Sequence, residues 1–480
     1  MSNIGHLLLK NIVPPTPKQK QRIICSPYQY FQYLFHNCMH RIFSDSYARK
    51  CIFFAVLLLC INVTSIIFYY LNHPQPELNP DTPAYLHVVA RMQAHPYLLV
   101  DTWRLPVYPF LIVLVYALTG QGNLLAVSIV QAGLFTLTTL EIYCIALLLL
   151  RRPWLAFLIG LLVGTNIVIL SYIKPILSEG LAMCLLTTLV FTILYFMRTL
   201  HAKHFWLVVI CFLLLLFTRP EWEYLPIPLF AYLLLVGPWR RLLRHILIAV
   251  VFIYALVGIY ISINAVTNSY AGFTAIENFN LMGKVLQYHM WNEVSPEYLQ
   301  ESHQLSICVA HIDIDPYHVL PCVPSLSRNY NARAGAFARD VIIHHPVEFS
   351  LKSTLAFFPS LTTYYDNYPS DRTGRYEWAL GWLKATQRWL YNVNALFTPC
   401  AIVWFVLLLR RKTRRQQVTR DMGVIVLVVF YALAITTLAG YRFDDYMRVH
   451  TVFDPLLILI ISTSLFLGIR NTVLLMSRKM

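Results

Sequence analysis

Residues 79–109, NPDTPAYLHVVARMQAHPYLLVDTWRLPVYP, form the long hydrophilic interruption in the first half of an otherwise apolar chain. They carry Asp81 and Asp101 among prolines and tyrosines, together with Arg91 and Arg104. The tail of this stretch decides the topology. Residues 107–118 are apolar, but Thr119-Gly120-Gln121-Gly122 follows at once. A crossing helix needs about 20 apolar residues, so this run is expected to be a juxtamembrane or re-entrant helix. Read as a full span, it would put Arg151 and Arg152 and every later basic loop on the wrong side of the membrane.

Composition sets the same frame. The 480 residues are 58% hydrophobic and 13% charged, whereas soluble domains carry about a quarter charged residues. The formal net charge of +15 is what basic cytoplasmic loops leave in a polytopic protein, so nucleic acid is excluded as a partner. Ten spans are expected, at 51–71, 124–150, 154–172, 181–197, 205–217, 224–236, 246–263, 389–409, 424–438 and 452–467. Both termini are then cytoplasmic. Basic clusters such as Arg240-Arg241 and RRKTRRQQVTR fall inside, while Asp81, Asp101, Glu179, Glu221, Glu223, Asp444 and Asp445 fall outside. The first apolar run lies behind a long polar and basic tail and is read as a retained anchor.

The domain reading follows from the spans. Residues 1–50 form a basic, aromatic cytoplasmic tail, in which SPYQYFQYLFHNCMHRIF is either an interfacial helix or loosely ordered. Residues 51–269 are a membrane core whose first outer loop, 72–123, carries the candidate site. Residues 270–388 form a mostly helical outer-face region, with ENFNLMGKVLQYHM and RAGAFARDVIIHHPVEFSLKSTLAFF at helical spacing. Residues 389–480 supply the last membrane helices and a basic tail. His344-His345-Pro346 is expected to end one helix and begin another. Cys308 and Cys322 are the cysteines expected outside. A disulfide between them would contribute about 3 kcal/mol. His311, Asp313, Asp315 and His318, in the loop between them, match no firm metal spacing.

Asp81 has two readings. After Asn79-Pro80 it suits a helix N-cap or first-turn acid. It also suits a general base just outside the bilayer. The order Asp81, Tyr85, Arg91, then Arg104-Leu105-Pro106-Val107-Tyr108-Pro109 resembles the first outer loop of the GT-C superfamily of polytopic glycosyltransferases. The likeness is to members related to protein O-mannosyltransferases (glycosyltransferase family 39) and lipid A aminoarabinose transferases. Pro175 and Glu179, then Thr218-Arg219-Pro220, then Arg448 and Pro455, continue it in order. Thr82 and Val449 depart from the family pattern.

The resemblance implies an all-α GT-C-like membrane fold. It also implies transfer of a sugar, with inversion, from a polyprenyl-phosphate donor to a lipid, glycan or protein acceptor at the outer face of the cytoplasmic (inner) membrane. Asp81 would be the base and Glu179 a second acid. Arg104, Lys174, Arg219, Arg448 and, as a substitute for the last, Arg442 would bind the donor phosphate. Tyr85, Tyr108, Glu221 and Asp445 would position substrate, and participation of a divalent metal is left open. Two other classes remain: a transporter or lipid flippase, for which Glu141 is the main intramembrane acid, and an oligosaccharide ligase that works without an aspartate base.

Overall fold

The computed structural model describes residues 46–95, 99–362, 377–410, 413, 416–440 and 443–477, with 439, 443–447 and 469–477 described by backbone alone. The stretch SPYQYFQYLFHNCMHRIF lies outside them. All regular structure among the described residues is helical. Seven helices are long and apolar enough to cross a membrane: Ser46–Asn72, Leu124–Leu150, Glu179–Thr199, Trp239–Asn268, Glu377–Leu409, Gln417–Leu438 and Arg448–Gly468. Pro153–Gly164 and Ile167–Ile173, bent by 53° at their junction, make an eighth if the pair is one span. The Trp239–Asn268 helix exposes Leu247, Val251, Phe252 and Ile259, an apolar face that only lipid would solvate well. The chain is an all-α, multi-pass membrane protein. Ser46–Val56 belongs to a separate unit, and the description below concerns residues from Leu57 onward.

Two expected spans come out shorter than a bilayer. The runs at 205–217 and 224–236 fold as Ala202–Leu216, 15 residues, and Pro226–Val236, 11 residues. At 1.5 Å per residue these are about 22 and 16 Å long. The cause lies between them. Arg219 is extended, with φ −147° and ψ 130°, and Pro220 opens a single 3-10 turn through Trp222. The apolar helices stop so that Arg219, Glu221 and Glu223 can leave the helical path. Val107–Thr119 is a short helix of 13 residues, as expected, and ends at Gly120 with φ 101°, a conformation that favours glycine.

Buried polar side chains hold the irregular backbone that a membrane core would otherwise leave unsatisfied. Gln131, on Leu124–Leu150, donates to the carbonyls of Ile173 at 2.5 Å and Pro175 at 2.8 Å and accepts from the Tyr108 hydroxyl at 2.8 Å. Ser128 donates to the Lys174 carbonyl at 2.9 Å. The Asn166 side chain accepts from the amides of Val168 and Ile169 and so caps the second half of the bent pair. Thr82 Oγ1 donates to the Ile176 carbonyl at 3.2 Å, and the Ile176 amide to the Glu77 carbonyl at 3.2 Å. The turn 173–178 is thereby fixed against residues 77–82, just ahead of Glu179.

Residues 276–362 form short helices around their own core, with Met282, Val285, Leu305, Val319, Val323, Phe337 and Val341 at its centre. Cys308 and Cys322 are joined as a disulfide with Cα atoms 6.3 Å apart, linking Leu299–Val309 to Pro316–Cys322. His344 ends the helix Ala332–His344, and Pro346 opens Pro346–Thr362. Gly335 lies where a Cβ would stand 2.0 Å from Asn278 Oδ1. Close approach of Ala332–His344 to Ile276–Gln287 therefore needs the missing side chain.

Candidate functional site

Asp81 occupies the N-cap position of Thr82–Ala94, yet its side chain makes no capping hydrogen bond. Its carboxylate is engaged elsewhere. Oδ1 lies 2.6 Å from Arg104, and Oδ2 accepts from Arg448. Arg448 also donates through Nε to Glu179 Oε1. Arg219 Nη1 is 2.9 Å from the same Glu179 oxygen, while its Nε donates to Glu221. Three arginines and three carboxylates from four separated parts of the chain thus form one continuous network. Glu179 is fully buried, and its Oε2 has no hydrogen-bond partner among the described residues; neither has Arg104 Nε.

The electrostatics follow from this pairing. Burial alone would raise the Asp81 carboxyl, but Arg448 and Arg104 overcome it and hold the group below its ordinary value. Burial likewise works against the Arg219 charge, and Glu221 and Glu179 more than restore it. Arg104 lies over the Tyr85 ring at 4.7 Å, and Tyr85 shares a hydrogen bond of 3.0 Å with Ser178. Asp81, Tyr85, Arg104, Ser178, Arg219, Glu221 and Arg448 all line one cavity of about 750 Å³. That is room for a sugar phosphate or a drug-sized ligand, since pockets of this kind run from about 300 to 1,000 Å³.

The expected site residues divide into those brought together here and those placed elsewhere. Lys174 is nearly fully buried and pairs with Glu77 at 2.9 Å; it does not line the cavity. Tyr108 stands behind the wall, edge-on to the Tyr85 ring at 4.9 Å. Arg442 and the side chain of Asp445 lie outside the described residues. Asp101 fixes a turn: its Oδ1 accepts the amides of Trp103 and Arg104. Its ion pair is with Arg91, at 3.0 Å, and not with the Arg104 guanidinium. Glu141 accepts a hydrogen bond of 2.7 Å from Thr188. Asp313, Asp315 and His318 come within reach of one cation, but the carboxylates serve their own turn: Asp313 accepts from the Asp315 amide and Asp315 from the Tyr317 amide.

Sequence reasoning passed over three charged groups. Glu77 lies just ahead of residues 79–109, and its role depends on Lys174, far along the chain. Glu277 and Arg339 line the cavity from the helices Ile276–Gln287 and Ala332–His344. In the sequence they look like ordinary polar positions of amphipathic helices.

Fold and site together define a class: a multi-pass, all-α membrane protein with an arginine-carboxylate network on the wall of a large cavity. No known family profile matches the chain, and no curated protein matches its sequence. Among solved structures it is similar to that of ArnT from Cupriavidus metallidurans in the apo state, at 13% sequence identity and a TM-score of 0.36. The alignment covers 85% of this chain and 76% of that one. At that score the likeness carries no argument.

Proposed function

We propose that the chain is an integral-membrane glycosyltransferase of GT-C type. It would move a sugar from a polyprenyl-phosphate donor to an acceptor hydroxyl on the outer face of the cytoplasmic (inner) membrane. The observation that carries this reading is Asp81 held between Arg104 and Arg448 on the cavity wall. A donor phosphate would take over those guanidinium groups, which suit phosphate oxygens through paired N–H donors. Arg104 Nε already has a donor to spare among the described residues. Losing its cations to the phosphate would release the Asp81 carboxylate and let its proton affinity rise.

The acceptor oxygen then attacks C1 of the sugar. The bond from C1 to the phosphate oxygen breaks, and polyprenyl phosphate leaves with the electron pair, stabilised by the arginines. The hydroxyl proton passes to Asp81. A single displacement of this kind inverts the anomeric centre. Glu179 and Arg219 would set the position of Arg448, and Tyr85, backed by Tyr108, that of Arg104. Lys174, paired with Glu77, would fix the 173–178 turn instead of binding donor. Arg442 and Asp445 remain part of the proposal on sequence grounds.

The double pairing of Asp81 also suits a second reading, an oligosaccharide ligase in which the aspartate only holds its arginines. Both readings share a test. Membranes containing the chain, given labelled polyprenyl-phosphate sugar, should release polyprenyl phosphate. Arg104→Ala and Arg448→Ala should each raise the donor KM by roughly tenfold or more, as expected for loss of a charge-assisted contact worth about 1.5–3 kcal/mol. A donor left intact by well-inserted wild-type protein in the presence of candidate acceptors would exclude both.

A further inference from the structure

The arginine network accounts for only part of the cavity. Its lining also includes Glu277, Phe279, Asn280 and Tyr317, with Arg339 beside them. None of these belongs to the network around Asp81. We propose that Glu277, with its partner Glu223, Arg339 and the Phe279–Tyr317 ring pair, forms an acceptor subsite for a neutral, polyhydroxylated sugar. This rests on the glycosyltransferase reading and narrows its acceptor from lipid, glycan or protein to glycan.

Glu277 sits in the first turn of Ile276–Gln287, where the helix has no side-chain cap, and it lines the cavity. The charges of the neighbouring Glu223 carboxyl and the Arg339 guanidinium both act on it. Burial and the neighbouring Glu223 carboxyl push Glu277 up to about 8, and burial raises Glu223 as well. Two carboxyls that share a proton present acceptor oxygens and one O–H donor with a single negative charge. Arg339 balances that charge. Its guanidinium lies 3.3 Å from Asn278 Oδ1, which anchors one arm of its donor fork.

What results is a wall with donors and acceptors but little net charge. A sugar hydroxyl donates and accepts at the same atom, and adjacent hydroxyls match a guanidinium fork. The exposed Tyr317 ring, packed 4.4 Å between centroids against the buried Phe279 ring, supplies an apolar surface for the C–H face of a pyranose. A phosphate would be drawn instead to the three arginines of the other network. An ammonium group would be favoured by ionised acids without a neighbouring arginine. The neutral glycan fits this wall better than either.

The test uses the full-length chain in lipid nanodiscs and saturation-transfer NMR. The probes are three neutral trisaccharides, of glucose, galactose and mannose, with decyl phosphate as a donor-side probe. At least one trisaccharide should show saturation transfer at millimolar concentration. That signal should fall by roughly fivefold or more in Glu277→Leu and in Arg339→Ala, the effect of losing about one net hydrogen bond of up to 1.5 kcal/mol. Glu277→Gln, which keeps volume and hydrogen bonding, should retain most of it and so reports on folding. Decyl phosphate binding should be unchanged in these variants and lost in Arg448→Ala. Absence of transfer from all three sugars, an unchanged signal in Glu277→Leu, or displacement of the sugars by a lysine-containing peptide would overturn the subsite. Failure of decyl phosphate to depend on Arg448 would count against the donor reading alone.

Discussion

Replacing Arg448 with Ala tests the network at its most deeply buried carboxylate, Glu179. Arg448 donates to both Glu179 and Asp81. After truncation Asp81 keeps Arg104 at 2.6 Å. Among the described residues Glu179, fully buried, then keeps as its cation Arg219 Nη1 at 2.9 Å, a contact not aligned as a hydrogen bond. Breaking one partner out of a buried ion pair costs about 3–5 kcal/mol. Because 19% of the Arg448 side chain is exposed and Arg219 remains, the lower end applies, about 3 kcal/mol. In a chain of this size that is a fall of about 3 °C in Tm, to be read at one fixed scan rate because membrane proteins unfold irreversibly. Adding Glu179→Gln removes the stranded charge, so the double variant should recover about half of the loss. An Arg448→Ala protein that melts with the wild type, or a double variant no better than the single, would refute the reasoning.

Other consequences are read in simpler assays. For Glu277 the folded value, about 8, lies above the ordinary carboxyl value of 4.5. The fold therefore binds the extra proton between those values, and stability should fall as pH rises through 8; Glu277→Gln, with Glu223 and Arg339 intact, should flatten that slope. Asp81 has the opposite sign. Its lowered value contributes stability above the ordinary carboxylate range that is lost as pH falls below about 4, and Asp81→Asn should lose that acid dependence. Gly335→Ala forces a methyl group against the buried Asn278 amide and should lower stability by about 1–3 kcal/mol. Cys308 and Cys322 should resist a membrane-impermeant maleimide until reduced, and reduction should lower the Tm; labelling without reduction would contradict the bond seen between them.

The features legible in the sequence are those with local signals. Long apolar runs mark the spans, and the clash of Val107–Thr119 with span length marks it as a short helix. The residues that meet at Asp81 are legible by type and order, but their pairing is not. Arg448 is 367 positions from Asp81, and no spacing rule reports a contact over that distance. The two shortened helices have apolar content enough for longer spans, and the extended Arg219 with its following proline, which ends them early, leaves no hydropathy signal. Asp81 illustrates the same limit. Its position predicts a cap, which is where the backbone puts it, while its side chain is claimed by two arginines from elsewhere. Glu277 and Arg339 had no signal at all, since a polar residue on an amphipathic helix looks the same whether it faces water or a cavity.

The central claim is that Asp81 takes the acceptor proton once a donor phosphate has claimed its arginines. The most direct measurement is single-turnover transfer from labelled polyprenyl-phosphate sugar in membranes containing wild type or Asp81→Asn, at saturating donor. Asp81→Asn should lose about 100-fold or more in the transfer rate, the scale of a general base, with donor binding retained. Transfer at the wild-type rate by well-inserted Asp81→Asn protein would contradict it and leave the arginines as a ligase-type site.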